Sequence, residues 1–120
     1  MIRVLVVDDD ESARLFLGSI LEAAGHFVFY ARTGEEAIRA FLRKGAHVVV
    51  TDLEMPRGDG FELIDAIVGI NPDVPVIAVS GMDTGRLERA RELGARITIA
   101  KPVEPATLVS SVEAVTRSVA

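Results

Sequence analysis

Five short apolar runs recur along the chain, at positions 2–7, 27–31, 47–51, 74–79 and 97–100. They are rich in Val and Ile, which favours β-strands. Polar and apolar residues do not alternate in them, as VLVV and HVVV illustrate. A strand without alternation is typical of a parallel sheet that is buried on both faces. The runs therefore predict five strands with helices covering both sides of the sheet.

The segments between these runs have the period of amphipathic helices. The first segment places its apolar residues on one helix face, at Ala13, Phe16, Leu17, Ile20, Leu21 and Ala24. Gly25 follows this face and predicts its end. Thr33 and Glu36 have the spacing of a capping box, and Gly45 lies just beyond the second segment.

Three further helices are predicted over residues 61–70, over 84–93 and from Pro105 onward. Strict alternation of strand and helix predicts an α/β fold, a doubly wound sandwich with right-handed crossovers. Periodicity alone leaves the strand order open. Ligands in such folds bind beyond the carboxyl ends of the strands, so we expect chemistry at the residues that follow the strands.

Composition narrows the possible functions. A length of 120 residues predicts one domain over residues 1–120. The net charge of -5 argues against nucleic-acid binding by this chain alone. Cysteine is absent, which excludes disulfides and thiolate chemistry, and the apolar run at 2–7 is too short to cross a membrane. We expect a cytoplasmic protein; the sequence leaves its oligomeric state open.

Chemically capable side chains follow four of the five predicted strands: Asp8, Asp9 and Asp10, then Asp52, Ser80 and Lys101. Clustered carboxylates repel one another, so a hard divalent cation with oxygen ligands, Mg²⁺ above all, is the expected occupant. A lysine and a hydroxyl beside the cation provide partners for phosphoryl oxygens. Each residue alone also fits a cap, a turn or a solvated surface position. Together they predict a phosphoryl-transfer site with Asp52 as the nucleophile.

Four stretches carry a family resemblance: VLVVDDDESAR, VVVTDLEMPRGDGFEL, PVIAVSGMD and IAKPV. In this order and with these separations, the chain resembles the receiver domains of response regulators in two-component signalling systems. The resemblance implies a flavodoxin-like five-stranded parallel sheet of order 2-1-3-4-5. It also implies Mg²⁺ as the cofactor, held by Asp8, Asp9, Asp52 and the backbone carbonyl of Glu54.

The resemblance assigns the phosphoryl chemistry as well. It implies that Asp52 is the phosphoacceptor, that Ser80 is the switch hydroxyl and that Lys101 pairs with the phosphoryl group. A cis bond between Lys101 and Pro102 is expected. The chain departs from the family at Thr98, where Tyr or Phe is common, so we expect the usual aromatic switch to be absent. Gly60 is expected to allow a tight turn after the acceptor.

The same resemblance implies the partners. A sensor histidine kinase or a histidine phosphotransfer protein is expected to supply the phosphoryl group. An unknown output partner is expected to bind the surface of the fourth helix, fifth strand and fifth helix. The chain is then no enzyme acting on a separate substrate, because it catalyses only its own phosphorylation and hydrolysis.

Two other functions compete with this interpretation. A haloacid dehalogenase-like phosphatase also uses an aspartate after an apolar strand, and Asp8, Asp10 and Ser12 imitate its motif. That class needs further metal-binding aspartates after its lysine, and only Glu104 and Glu113 follow here. The second alternative is a receiver-like binding module that is not regulated by phosphorylation, and Thr98 is the residue that points to it.

Two minor features remain, a cluster of arginines and a pair of histidines. Four arginines lie in or just after the fourth predicted helix: Arg86, Arg89, Arg91 and Arg96. Glu88 and Glu92 lie at helical spacing to several of them, which favours a solvated ion-pair helix over a docking face.

His26 and His47 have no second metal ligand nearby in sequence, so we predict that they are structural or exposed.

Overall fold

Strands and helices alternate along the whole computed structural model, which describes residues 1–56, 59–81 and 84–117. The strands are β1 Arg3–Val7, β2 Phe27–Ala31, β3 Val48–Asp52, β4 Val76–Ser80 and β5 Ile97–Ala100. The helices are α1 Glu11–Ala23, α2 Gly34–Lys44, α3 Asp59–Ile70, α4 Thr84–Leu93 and α5 Pro105–Arg117. These elements confirm the predicted alternation.

All neighbouring strands pair in parallel, in the order β2-β1-β3-β4-β5. β1 therefore lies between β2 and β3, and its Leu5 is opposite both Phe29 and Val49. This order confirms the flavodoxin-like fold that the family resemblance implied. It also brings the carboxyl ends of β1, β3, β4 and β5 to one edge of the sheet.

Two apolar cores, one on each face of the sheet, explain why the strands do not alternate in polarity. Val4 and Val6 of β1 pack into the core that contains residues of α1 and α5. Leu5 and Val7 pack into the opposite core, which contains residues of α2, α3 and α4. Every residue of β3 and β4 is buried. Apolar side chains on both faces of these strands are thus buried away from water, and this burial is the main stabilising contribution to the fold.

Local signals set the ends of the helices. The Asp10 carboxylate accepts a hydrogen bond of 2.9 Å from the Ala13 amide and caps α1. Thr33 caps α2 through the Glu36 amide, as predicted, but the Glu36 carboxylate accepts from the Arg32 amide. Gly45 ends α2 with a φ of 69°, a conformation that favours glycine. Within the described ranges, no helix has the length and apolar character needed to cross a membrane.

Gly60 lies inside α3, in contrast to the turn that its sequence context predicted. A Cβ added there would meet the carbonyl oxygen of Asp52 at 2.6 Å and the Cα of Leu53 at 3.0 Å. Both obstacles are backbone atoms, which do not move aside as a flexible side chain would. Glycine is therefore required because the helix passes close to the end of β3.

We expect Gly60→Ala to lower the free energy of unfolding by about 1–3 kcal/mol, because the methyl group forces the start of α3 away from β3. Gly69→Ala is a matched control in the same helix, where a Cβ meets no atom within 4 Å. That control is expected to be neutral or to stabilise by up to about 1 kcal/mol. Urea unfolding of both variants checks this, and equal stabilities would contradict the close approach.

Candidate functional site

The predicted site residues converge at the carboxyl edge of the sheet. Asp8 directly follows β1, whose last residue Val7 is opposite Thr51 of β3. Asp8 and Asp52 therefore lie side by side at the ends of two adjacent strands. Ser80 ends β4 opposite Ala100, and Lys101 follows at once. The Lys101 amide also donates a hydrogen bond of 2.7 Å to the Ser80 carbonyl, which holds the two strand ends together.

Three carboxylates form the acidic part of the site. One ligand oxygen from each of Asp8, Asp9 and Asp52 lies within 4.8 Å of the other two. Asp8 and Asp52 are buried, with only 2% and 3% of their surfaces exposed, whereas Asp9 is exposed. The Asp10 amide donates to Asp8 Oδ1 at 3.0 Å, which fixes the orientation of that carboxylate. Asp10 itself caps α1 and is not a member of the acidic group.

These carboxylates fit a divalent cation. Among the described residues, the buried atom Asp8 Oδ2 has no hydrogen-bond partner, and Asp52 Oδ1 has no contact of this kind beyond its ion pair with Lys101 Nζ at 3.1 Å. Buried oxygens without partners are costly unless a cation or another donor satisfies them. Hard oxygen ligands of this kind are the ones that Mg²⁺ takes in proteins. The acidic group is therefore a suitable Mg²⁺ site on its donor chemistry.

The electrostatics of Asp8 support the same conclusion. Burial raises its pKa from the usual 3.8 to about 6, with smaller upward contributions from the charges of Asp52 and Asp9. The hydrogen bond from the Asp10 amide and the charge of Lys101 oppose this rise. A cation bound here would favour the ionised carboxylate and reverse the rise.

Lys101 provides the positive charge of the site. Its Nζ lies 3.1 Å from Asp52 Oδ1 and 3.0 Å from Glu54 Oε1. The contact with Asp52 is therefore an ion pair with a buried carboxylate. Burial alone would lower the pKa of Lys101, but the contacts with Glu54 and Asp52 outweigh it and raise the pKa. The bond to Pro102 is cis, as expected.

Ser80 completes the group that the sequence predicted. Its side chain is fully buried, and its Oγ has no hydrogen-bond partner among the described residues. A buried hydroxyl without a partner is available to donate to a ligand oxygen. The structure thus brings Asp8, Asp9, Asp52, Ser80 and Lys101 to one edge, and their functional roles remain predictions.

Sequence reasoning missed the contacts of the Glu54 side chain. Its Oε1 accepts a hydrogen bond of 2.8 Å from the Gly81 amide in addition to the ion pair with Lys101. The pKa of Glu54 is lowered, mainly by Lys101. Arg14 was also missed; its Nη1 donates to the Asp8 carbonyl at 3.0 Å and anchors the end of β1. Neither contact has a sequence motif that predicts it.

The fourth helix is largely exposed, as predicted, but two of its arginines have other partners than the predicted glutamates. Within the described part of the chain, Glu88 and Glu92 form no ion pair with Arg89 or Arg91. Arg89 instead stacks over the Phe61 ring at 4.8 Å. Arg91 Nη2 donates to Thr98 Oγ1 at 2.7 Å. The residue that replaces the family's aromatic therefore connects α4 to β5.

Both histidines have structural contacts near the opposite edge of the sheet. His26 Nε2 lies 3.0 Å from Glu113 Oε2. His47 Nδ1 accepts a hydrogen bond of 2.9 Å from the Arg3 amide, next to the start of β1. The first contact joins the turn after α1 to α5, and the second holds the start of β1, which confirms that the histidines are structural.

Comparisons with known proteins agree with this geometry. The response regulator receiver domain family matches residues 4–113. The chain is 32% identical to the chemotaxis protein CheY of Thermotoga maritima over 117 residues, which cover 96% of this chain and 98% of that protein. A response regulator receiver domain from Clostridium thermocellum superposes with a TM-score of 0.92 at 27% identity, covering 98% of this chain and 96% of that one.

Other relatives are longer than this chain. The probable transcriptional regulator ycf27 of Guillardia theta is 36% identical over 116 residues, which cover 96% of this chain but 45% of that protein. This chain thus spans less than half the length of that relative. The receiver fold occurs both alone and as one part of longer proteins.

Proposed function

Because this chain belongs to the response regulator receiver domain family, we propose that it accepts a phosphoryl group on Asp52 and relays it as a signal in a two-component system. The observation that carries the assignment is the environment of the Asp52 carboxylate. It is buried, and among the described residues its Oδ1 contacts only Lys101 Nζ, which lies 3.1 Å away. This combination provides a nucleophile with a positive charge beside it.

Receiver domains bind Mg²⁺ at an acidic pocket, and in this chain we assign the site to Asp8, Asp9, Asp52 and the backbone carbonyl of Glu54. The proximity of the three carboxylates supports this assignment. The bound cation would neutralise the carboxylates and the charge on the transferring phosphoryl group. Asp8 contributes a buried oxygen that Asp10 orients, and Asp9 contributes an exposed one.

Receiver domains take their phosphoryl group from histidine kinases, and in this proposal the donor is a phosphohistidine of a sensor kinase or of a phosphotransfer protein. An Asp52 carboxylate oxygen attacks phosphorus, the new O–P bond forms and the P–N bond breaks. The electron pair of that bond returns to the imidazole of the donor. Lys101 positions the phosphoryl oxygens and offsets their charge. The only reactions assigned to the chain are this acceptance and the later hydrolysis of its own acyl phosphate.

Output follows from the added charge. The Ser80 hydroxyl is drawn toward a phosphoryl oxygen and moves the start of the segment that leads to α4. The Arg91 to Thr98 hydrogen bond then provides a connection from α4 to β5. We assign the output surface to α4, β5 and α5, for a partner that is still unknown. Residues 1–120 are proposed to form one receiver domain, in the cytoplasm.

Incubation with Mg²⁺ and a small acyl phosphate tests the proposal. We expect intact-mass spectrometry to show a gain of one phosphoryl group per chain, and peptide mapping to locate it in the segment that contains Asp52. Chelation of Mg²⁺ beforehand is expected to remove the gain. A chain that never gains this mass, in Mg²⁺ and with a donor that phosphorylates another receiver domain, would support the binding-module alternative instead.

A further inference from the structure

Two hydrogen-bond donors converge on one carboxylate oxygen beside the proposed acceptor. Glu54 Oε1 lies 3.0 Å from Lys101 Nζ and 2.8 Å from the Gly81 amide nitrogen. An ammonium group and a backbone N–H that face one oxygen form a binding site for an oxyanion. In this structure the oxyanion in that site belongs to the protein itself.

The backbone around Gly81 is shaped to receive this carboxylate. A Cβ at position 81 would lie 3.0 Å from Glu54 Oε2 and 3.3 Å from Oε1, closer than an ordinary contact. A side chain at position 81 would push the carboxylate back by a few tenths of an ångström, so glycine permits the close approach seen here. The contact spans 27 positions in sequence and joins the segment after β3 to the end of β4.

We propose that the Glu54 carboxylate competes with the phosphoryl group for Lys101 and for the Gly81 amide. The phosphoryl group on Asp52 must displace Glu54 from these two donors before it can bind to them. This inference rests on the proposed function, because the phosphoryl group on Asp52 is the ligand that takes the vacated donors. The Gly81 amide has a single N–H, so it cannot donate fully to Glu54 and to a phosphoryl oxygen at once. Lys101 has three N–H groups, but its charge is already shared between Asp52 and Glu54, so the Glu54 contact competes with the phosphoryl group there as well.

Displacement of Glu54 is feasible because its side chain is 39% exposed, so the carboxylate is solvated when it leaves. Exposed ion pairs of this kind are weak, which makes the competition moderate. The same movement frees the Gly81 amide, which is adjacent to Ser80. Glu54 thus holds the Ser80–Gly81 segment in its unphosphorylated position as well as opposing the incoming group.

Beryllofluoride, a tetrahedral phosphoryl mimic, tests this inference at saturating Mg²⁺, with the Mg²⁺ affinity of each variant measured separately. We expect Glu54→Ala to bind the mimic about three- to tenfold more tightly than the unmodified protein. Glu54→Gln, which keeps an acceptor for Gly81 but loses the charge, is expected to show a smaller gain. Glu62→Ala removes a charge from an exposed position of α3 and serves as the control for net charge.

NMR of the Gly81 amide gives a second measurement that is independent of affinity. Without the mimic, its signal is expected to shift in Glu54→Ala because the hydrogen bond is lost. With the mimic bound, the signals of the variant and the unmodified protein are expected to coincide. Unchanged affinity in Glu54→Ala, or a gain equal to that of Glu62→Ala, would overturn the inference. If no form of the protein binds the mimic, the proposed function itself fails.

Discussion

Asp52→Asn is expected to abolish the magnesium-dependent mass gain, lowering the rate of phosphoryl uptake by at least about a hundredfold. The amide is a poor nucleophile and carries no negative charge to hold the cation. Asparagine has nearly the same shape, so a side chain that is only 3% exposed is replaced without a cavity. The measurement is intact mass against time, with Mg²⁺ and an acyl phosphate donor.

A folding control separates this result from a loss of structure. Asp52→Asn removes the repulsion from Asp8 and Asp9 together with the ion pair to Lys101, so its thermal midpoint without Mg²⁺ is expected to stay close to that of the unmodified protein. Asp65→Asn removes a charge from an exposed position of α3 and is expected to keep full phosphoryl uptake. A variant with Asn at position 52 that still gains one phosphoryl group at the normal rate would refute Asp52 as the acceptor.

The location of the site was predictable because topology confines it. Once strands and helices alternate and the strands are parallel, their carboxyl ends lie at one edge, whatever the strand order. Asp8, Asp52, Ser80 and Lys101 each end or directly follow a strand. Knowing the carboxyl ends of the strands to within one residue was therefore enough to bring these side chains together, although β3 and β4 extend one residue beyond their predicted ends.

The interactions around those residues were not predictable in the same way. The contact of Glu54 with Gly81 depends on the paths of two connecting segments, which no hydrophobic period describes. Arg91 had Glu88 at helical spacing but donates a hydrogen bond to Thr98 on a neighbouring strand. Helical spacing describes neighbours on one helix, whereas long side chains also reach other elements. The role of Gly60 likewise depends on how close α3 lies to β3.

Asp8→Asn is expected to stabilise the protein at neutral pH while it weakens Mg²⁺ binding. The pKa of Asp8 is raised from 3.8 to about 6, chiefly by burial. Between these two values the folded state keeps a proton that the unfolded state releases, so stability falls as pH rises through that window. Above it, the ionised Asp8 lowers the free energy of unfolding by up to about 3 kcal/mol, at 1.36 kcal/mol per pKa unit.

Urea unfolding in the presence of a chelator measures this effect. The variant is expected to be more stable by about 1–3 kcal/mol at pH 7.5, and the difference is expected to shrink toward zero as pH falls to about 4. Asparagine keeps an oxygen for the Asp10 amide, so the hydrogen bond at 3.0 Å is preserved. Asp9→Asn, at an exposed position of the same group, is expected to change stability far less.

Addition of Mg²⁺ is expected to reverse the ranking of the two proteins. Mg²⁺ binds the folded state and raises the free energy of unfolding of the unmodified protein. Once the Mg²⁺ concentration exceeds the dissociation constant, this gain grows with the logarithm of the concentration. The variant lacks one buried ligand and is expected to lose most of this gain. If Asp8→Asn were less stable at pH 7.5 without metal, the ionised Asp8 would not be destabilising. If it gained as much from Mg²⁺ as the unmodified protein, Asp8 would not be a metal ligand. A stability difference that is present without metal and closes as Mg²⁺ is added would show that the charge cluster opposes folding until the cation neutralises it.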